Sequence, residues 1–195
     1  MAKRMTSQKS VTLSKDALSQ VSKAESGKKL PPVHLWNPPF CGDMDMQIKR
    51  DGSWIHEGGK INRPEMVRMF SSILKKEGEA YFLVTPVEKV GITVEDVPFV
   101  AVDIEASGAG AAQVLTFTTQ VGDEVVADSD HALRMPDGAE APYVMVRAGL
   151  EARLDRKSFY RLVDLGTEQT VDSVDMFGVI SAGVFFPLMP VSDLA

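Results

Sequence analysis

From Tyr81 to Arg147 the chain breaks into short runs rich in β-branched and aromatic residues, Tyr81–Thr85, Phe99–Ile104, Val114–Thr119, Glu124–Ala127 and Tyr143–Arg147, separated by Pro-, Gly- and Asp-rich turns. Runs this short, carrying side chains that pack on a pleated surface, predict an antiparallel meander. Upstream, Met46–His56 reads as two more short strands around an Asp51-Gly52 turn. Two segments have helical spacing instead. Asn62 stands where a cap belongs, with Glu65 three residues on to complete a capping box. It predicts a helix from Arg63 to about Glu77, burying Met66, Val67, Met69, Phe70, Ile73 and Leu74 and stopped by Gly78. Asp155 caps a second helix from Arg156 to Leu165, ended by Gly166, and the apolar stretch Met176–Leu188 reads as one or two final buried strands. The class these patterns predict is α+β.

The two helix starts resemble each other. Residues 61–70 align with residues 154–163 so that a cap (Asn62, Asp155) is followed in register by Arg63 or Arg156 and by Arg68 or Arg161. Each copy follows an apolar strand and a glycine turn, Gly58-Gly59 and Gly149. Any amphipathic helix supplies matching apolar positions, so the caps and arginines carry the evidence for a duplication. Arg63 and Arg156 fall on the first helical position, where the helix dipole disfavours a cation by about 0.3 to 1 kcal/mol. Something must compensate. A carboxylate such as Glu65, Glu57 or Glu151, or solvent, is one answer, and an anionic ligand held jointly by guanidinium and free helix amides is the other.

Charge is unevenly spread. Residues 1–30 hold seven Lys/Arg against Asp16 and Glu25, a net of +5, and since the whole chain carries −6 the rest carries −11. An acidic body repels phosphate backbones, which argues against nucleic-acid binding and leaves the basic tail as a route to a protein partner. The tail reads as loosely attached, with one amphipathic helix on Leu13, Ala17, Leu18 and Val21, and Pro31-Pro32 closes it. No apolar run is long enough to span a bilayer or resembles a secretion signal, and a single cysteine, Cys41, fits a reducing compartment, so the expectation is a cytoplasmic protein without a membrane role.

Trp54 and His56 share a strand face just upstream of Arg63, so a ring, an imidazole and a cation could together recognise a base and a phosphate. The competing reading puts Trp54 in the core and satisfies His56 with a neighbour. Glu88-Lys89 and Glu95-Asp96 flank another short strand and could supply pocket groups. Cys41-x-Asp43-x-Asp45 has neither a second cysteine nor a histidine at ligand spacing, so no metal site is expected. Ser107–Ala112 lacks the third glycine of a dinucleotide fingerprint, and Ser181 lacks a nucleophile-elbow frame. No cofactor is called for.

Trp36-Asn37-Pro38, Cys41-Gly42, Asp51-Gly52-Ser53-Trp54, Leu83–Lys89 and Val94–Phe99, in this order, resemble the DUF1285 family of proteobacterial proteins over roughly residues 33–190. Gly59-Lys60 departs from the hydroxyl residue and proline that the family pattern places after Gly58. The resemblance implies two structurally related halves, the C-terminal one superficially like a pleckstrin-homology fold, with a ligand site between them that takes a nucleotide-like molecule in signalling. The resulting expectation is a basic tail over residues 1–30, an N-terminal α+β domain over 31–95 and a C-terminal domain over 96–195, each half with antiparallel strands and a helix. The C-terminal half is expected to be a meander or partly open barrel with a capping helix. In function it is a non-enzymatic binding or regulatory protein whose anionic small molecule meets Trp54, His56, Arg63, Glu88, Lys89 and Arg156. The alternative is a hydrolase or transferase on a phosphorylated or acyl substrate, with His56 and Glu88, Glu95 or Asp96 as acid and base.

Overall fold

The computed structural model of the chain describes residues 11–24 and 30–194, which divide into two compact units. The first, running to Lys49 and again from Ser53 to Glu95, contains α1 (Lys15–Ala24), β1 (Phe40–Ile48), β2 (Trp54–His56), β3 (Gly59–Lys60), α2 (Pro64–Ser72), β4 (Leu74–Glu77), β5 (Ala80–Val84) and β6 (Lys89–Val94). Its sheet has the order β3-β2-β1-β6-β5-β4, all neighbours antiparallel except the central pair β1 and β6. Along β1 the period-two rule is obeyed: Met44, Met46 and Ile48 are buried while Asp43 and Asp45 are exposed. The buried face continues through Trp54, Phe70, Ile73, Leu74, Leu83 and Val90.

The second unit takes Arg50–Gly52, the tip of the β1–β2 hairpin, together with everything from Asp96 onward. Its strands are β7 (Phe99–Ser107), β8 (Val114–Thr119), β9 (Glu124–Val126), β10 (Leu133–Arg134), β11 (Tyr143–Arg147) and β12 (Leu150–Leu154), followed by α3 (Arg156–Asp164) and a small third sheet of β13 (Thr167–Val171), β14 (Val174–Ser181) and β15 (Val184–Pro190). The six-stranded sheet, a half-barrel capped by α3, has the order β10-β11-β12-β7-β8-β9. Numbered from its own first strand, that order is identical to the first unit's. In both, two successive three-stranded meanders are joined by a parallel pairing of the first strand with the sixth. The chain is an α+β protein of two structurally related halves. The third sheet is tied to the second by Ser181, whose hydroxyl accepts from Leu115 N at 2.9 Å and donates to Ala127 O at 2.6 Å.

The duplicated phrase is present locally. A two-residue hairpin turn, Glu57-Gly58 or Ala148-Gly149, with the positive φ values that twist-matched turns need, leads through a strand into α2 or α3. Its two copies do not occupy equivalent places. β3 is the edge of its sheet and α2 links its third and fourth strands, whereas β12 is central and α3 follows the sixth. The duplication that organises the molecule is the strand order, and the helices are offset against it.

Three local expectations change. Asn62 is not the cap of α2: Pro64 occupies the first helical position, and its ring holds Arg63 extended (φ −96°, ψ 110°) as an N-cap without a side-chain hydrogen bond. Arg63 therefore precedes the helix, while Arg156 does begin α3, behind Asp155, whose carboxylate accepts from Ser158 N at 2.7 Å. The helix expected to run to Glu77 ends at Ser72, since Leu74–Glu77 pairs with Ala80–Leu83 and Gly78 serves a hairpin turn instead of a helix stop. The N-terminal helix is also not loosely attached. Leu13, Ala17 and Val21, at i, i+4 and i+8, are buried, and Ser14 caps the helix by accepting from Ala17 N at 3.2 Å. Lys3, Arg4, Lys9, Glu25, Lys28 and Lys29, on which the basic-tail reading rests, lie outside the described residues.

Candidate functional site

The parallel register of the first sheet sets Phe40 beside Lys89 and Asp43 beside Gly91, and the antiparallel register sets Phe82 across from Gly91. Residues from β1, β5 and β6 thereby converge on the face of the sheet opposite Met46 and Leu83. They line a pocket of about 540 Å³. Its floor is Gly91. A Cβ there would stand 2.2 Å from Asp43 Oδ1, so glycine leaves the space that the carboxylate occupies, and 3.7 Å from Phe40 Cε2, an ordinary packing contact. The Phe40 and Phe82 rings meet edge to face with centroids 6.1 Å apart.

Two charged groups in this pocket have different fates. The Lys89 ammonium sits 5.0 Å above the Phe82 ring and donates to Glu77 Oε2 at 3.0 Å. Glu77 also takes Lys75 Nζ at 3.1 Å, and these hydrogen bonds, that from Lys89 foremost, hold its carboxyl below the ordinary carboxylate range. The Asp43 carboxylate has no hydrogen-bond donor or cation beside it among the described residues.

Of the six residues singled out from the sequence, five lie in the first unit, in different surroundings, and Arg156 lies in the second. Lys89 lines the pocket. Glu88, its neighbour, accepts from Ser14 N at 3.1 Å. Trp54 is fully buried and stacked on Phe70, with centroids 6.1 Å apart. His56 donates from Nδ1 to the Asp45 carbonyl at 2.9 Å, so the ring is held by the backbone of β1. Arg63 is exposed and has no ion-pair partner among the described residues. Arg156, in the second unit, lays its guanidinium 5.4 Å over the Tyr160 ring and donates to that hydroxyl at 3.1 Å, which answers its dipole problem with an aromatic face. Sequence reasoning did not single out Phe40, Phe82 or Gly91, and weighed Asp43 only as a metal ligand. The alternation of Asp43, Met44, Asp45 and Met46 was the available signal, since it extends β1 back to the pocket.

Among the described residues no group of three or more His, Cys, Asp or Glu is placed to hold a metal ion, and no helix is long and apolar enough to cross a membrane. Residues 31–97 match the family described as domain of unknown function DUF1285, N-terminal domain, and residues 98–188 match the protein of unknown function DUF1285, C-terminal domain. The chain belongs to the DUF1285 family. A crystal structure of a DUF1285 family protein from Silicibacter pomeroyi DSS-3 is 58% identical to it, with a TM-score of 0.81 over 91% of this chain and 97% of that one. A DUF1285 family protein from Shewanella baltica OS155 is 29% identical, with a TM-score of 0.51 over 62% of this chain and 91% of that one. No curated protein matches this DUF1285 chain.

Proposed function

We propose that this DUF1285 protein is a non-enzymatic binding protein of the cytoplasm that takes a small organic molecule and serves a regulatory or signalling role. The observation that carries the reading is the pocket over Gly91, with two phenylalanine rings for walls and a few convergent charged groups, the ordinary make-up of a small-molecule site. The hydrolase or transferase alternative finds less support around His56. Its Nδ1 is spent on a backbone carbonyl, while Glu88 binds Ser14 N, Glu95 binds Lys49 at 2.6 Å and Asp96 accepts from Tyr143 at 2.5 Å.

A thermal-shift screen of metabolites, nucleotides included, tests the reading. A ligand present at about 100 times its dissociation constant should add roughly 2.7 kcal/mol of stability. The expected result is a stabilising compound whose effect is lost in Phe82→Ala. A compound whose effect survives Phe82→Ala but disappears in Arg63→Ala or Arg156→Ala would instead locate an anionic ligand at the helix starts. A broad panel without any shift would sink both.

A further inference from the structure

We infer that the pocket over Gly91 recognises an organic cation, an amine or amidine carried on an aromatic or apolar body, with Asp43 as its counter-ion and the Phe40 ring as its wall. The inference rests on the ligand-binding reading above and gives that ligand its chemical class. An ionised carboxylate accepts hydrogen bonds and donates none, so an exposed one without a protein partner is served by water and is open to an incoming cation. Asp43 is exposed and has neither a cation nor an N–H donor beside it among the described residues, and the missing side chain of Gly91 leaves room for its Oδ1 to lie against the sheet. The edge of the Phe40 ring lies over the same glycine, and that ring is 54% exposed, leaving aromatic surface open beside the carboxylate. A carboxylate next to an aromatic face is the pairing that holds an ammonium or amidinium, one group by charge and the other by its quadrupole.

The remaining lining charges point the same way. Lys89 could attract an anion, but Glu77 already takes its ammonium and the Phe82 ring lies beneath it. Glu77 is shared with Lys75, so around the pocket the carboxylates of Asp43, Glu77 and Glu79 face the ammoniums of Lys75 and Lys89, and the balance of charge still favours a cation. A polyanion such as a nucleoside triphosphate would meet Asp43 with like charge.

Calorimetric titration of the full chain with benzamidine and phenethylamine, against benzoate and benzyl alcohol as shape-matched anionic and neutral probes, tests this. The cations should bind about tenfold tighter than either control, the low end of what a hydrogen bond to a charged group contributes. Asp43→Asn, an exposed and near-isosteric change, should erase that preference while leaving the unliganded melting temperature in place. Gly91→Ala keeps every charge but puts a methyl where the carboxylate lies, and should also weaken the cations about tenfold. Equal binding of benzoate and benzamidine, full cation binding by Asp43→Asn, or no cation binding at all would overturn the inference. If neutral or anionic compounds bind in a Phe82-dependent way in those cases, the binding reading stands and the cation assignment alone falls. If the screen is also empty, both fall.

Discussion

The two six-stranded sheets share one strand order, but their central parallel pairs are covered differently. In the second unit Phe99, Val100 and Ala101 of β7 and Leu150, Glu151 and Ala152 of β12 are buried in unbroken succession, so both faces of the pair are packed. In the first unit β1 alternates buried and exposed from Asp43 to Met46, and one face of the pair stays open. Parallel strands are ordinarily buried on both faces, so the open face is the exception, and it is where the pocket lies. The same wiring is covered as a core in one half and left with an open, pocket-bearing face in the other. Phe99→Ala should therefore cost about 3–5 kcal/mol, as for a fully buried aromatic, and it would also remove the ring that lies 4.8 Å beneath the Arg147 guanidinium. A denaturation midpoint close to that of the unchanged chain would show that the second sheet is as open as the first.

The next largest effect concerns how a charge is admitted to that covered pair. Glu151 is 7% exposed and takes two hydrogen bonds from Arg134, at 2.6 and 2.7 Å. This arrangement and Asp43 are opposites, one carboxylate buried with a bidentate partner and the other exposed with none. Removing a partner from a fully buried pair costs about 3–5 kcal/mol, and because half of Arg134 is in solvent about 2 kcal/mol is expected for Arg134→Ala. Adding Glu151→Leu should recover much of the loss, which urea unfolding of both variants would measure. Asp43→Asn, by contrast, should leave stability unchanged.

Much of the covered half was legible because it depends on local signals. The runs at Phe99, Val114 and Tyr143 became β7, β8 and β11, and Asp155 caps α3 because Asp-x-x-Ser places an acceptor beside a free amide. The final apolar stretch became β14 and β15, although β13, fully polar at Thr167–Thr170, carries no apolar pattern and went unread. In the first half local signals conflict. Asn62 and Glu65 spell a capping box, but Pro64 shifts the helix start by one residue; Leu74–Glu77 has helical composition, but pairing with β5 overrides it. The pocket was hardest to read. Phe40, Phe82 and Gly91 are brought together by the parallel register of β1 on β6, and nothing in the period of either strand specifies that register. Trp54 and His56 were read correctly as sharing a face, and that face turned inward for Trp54.

The halves should also respond to opposite ends of the pH scale. Burial, and then its hydrogen bond to Asp96, raise the Tyr143 hydroxyl from 10.0 to about 12. A group raised in the folded state stabilises fully below its unfolded value, so this contribution, on the order of 2 kcal/mol, is lost as pH climbs from 10 toward 12. Tyr143→Phe should flatten that alkaline limb. In the first unit Glu77 is depressed by Lys89 and Lys75, so its contribution is present above the ordinary carboxylate value and lost as pH falls through the lowered one. Its carboxylate is a third exposed, so solvent screening keeps the effect well below about 1 kcal/mol. Melting temperatures of Glu77→Gln between neutral and strongly acid pH would show it as a shallower acid limb. An unaltered limb in either variant would remove that residue from the pH response.

A small expected effect on stability separates the two readings of the open face most cleanly. Phe40 and Phe99 each stand at the start of the first strand of their sheets, one 54% exposed and the other fully buried. If the open face were merely a core left poorly covered, Phe40→Ala would unload its contact with Phe82 at a cost approaching that of Phe99→Ala. A ring kept at the mouth of a pocket contributes instead through one edge-to-face contact, so about 0.5–1 kcal/mol is expected. Ligand binding should fall much further than stability in the same variant, because the ring that folding uses little is the ring a bound molecule would cover. Equal losses in folding and binding would make Phe40 a packing residue and move the site elsewhere.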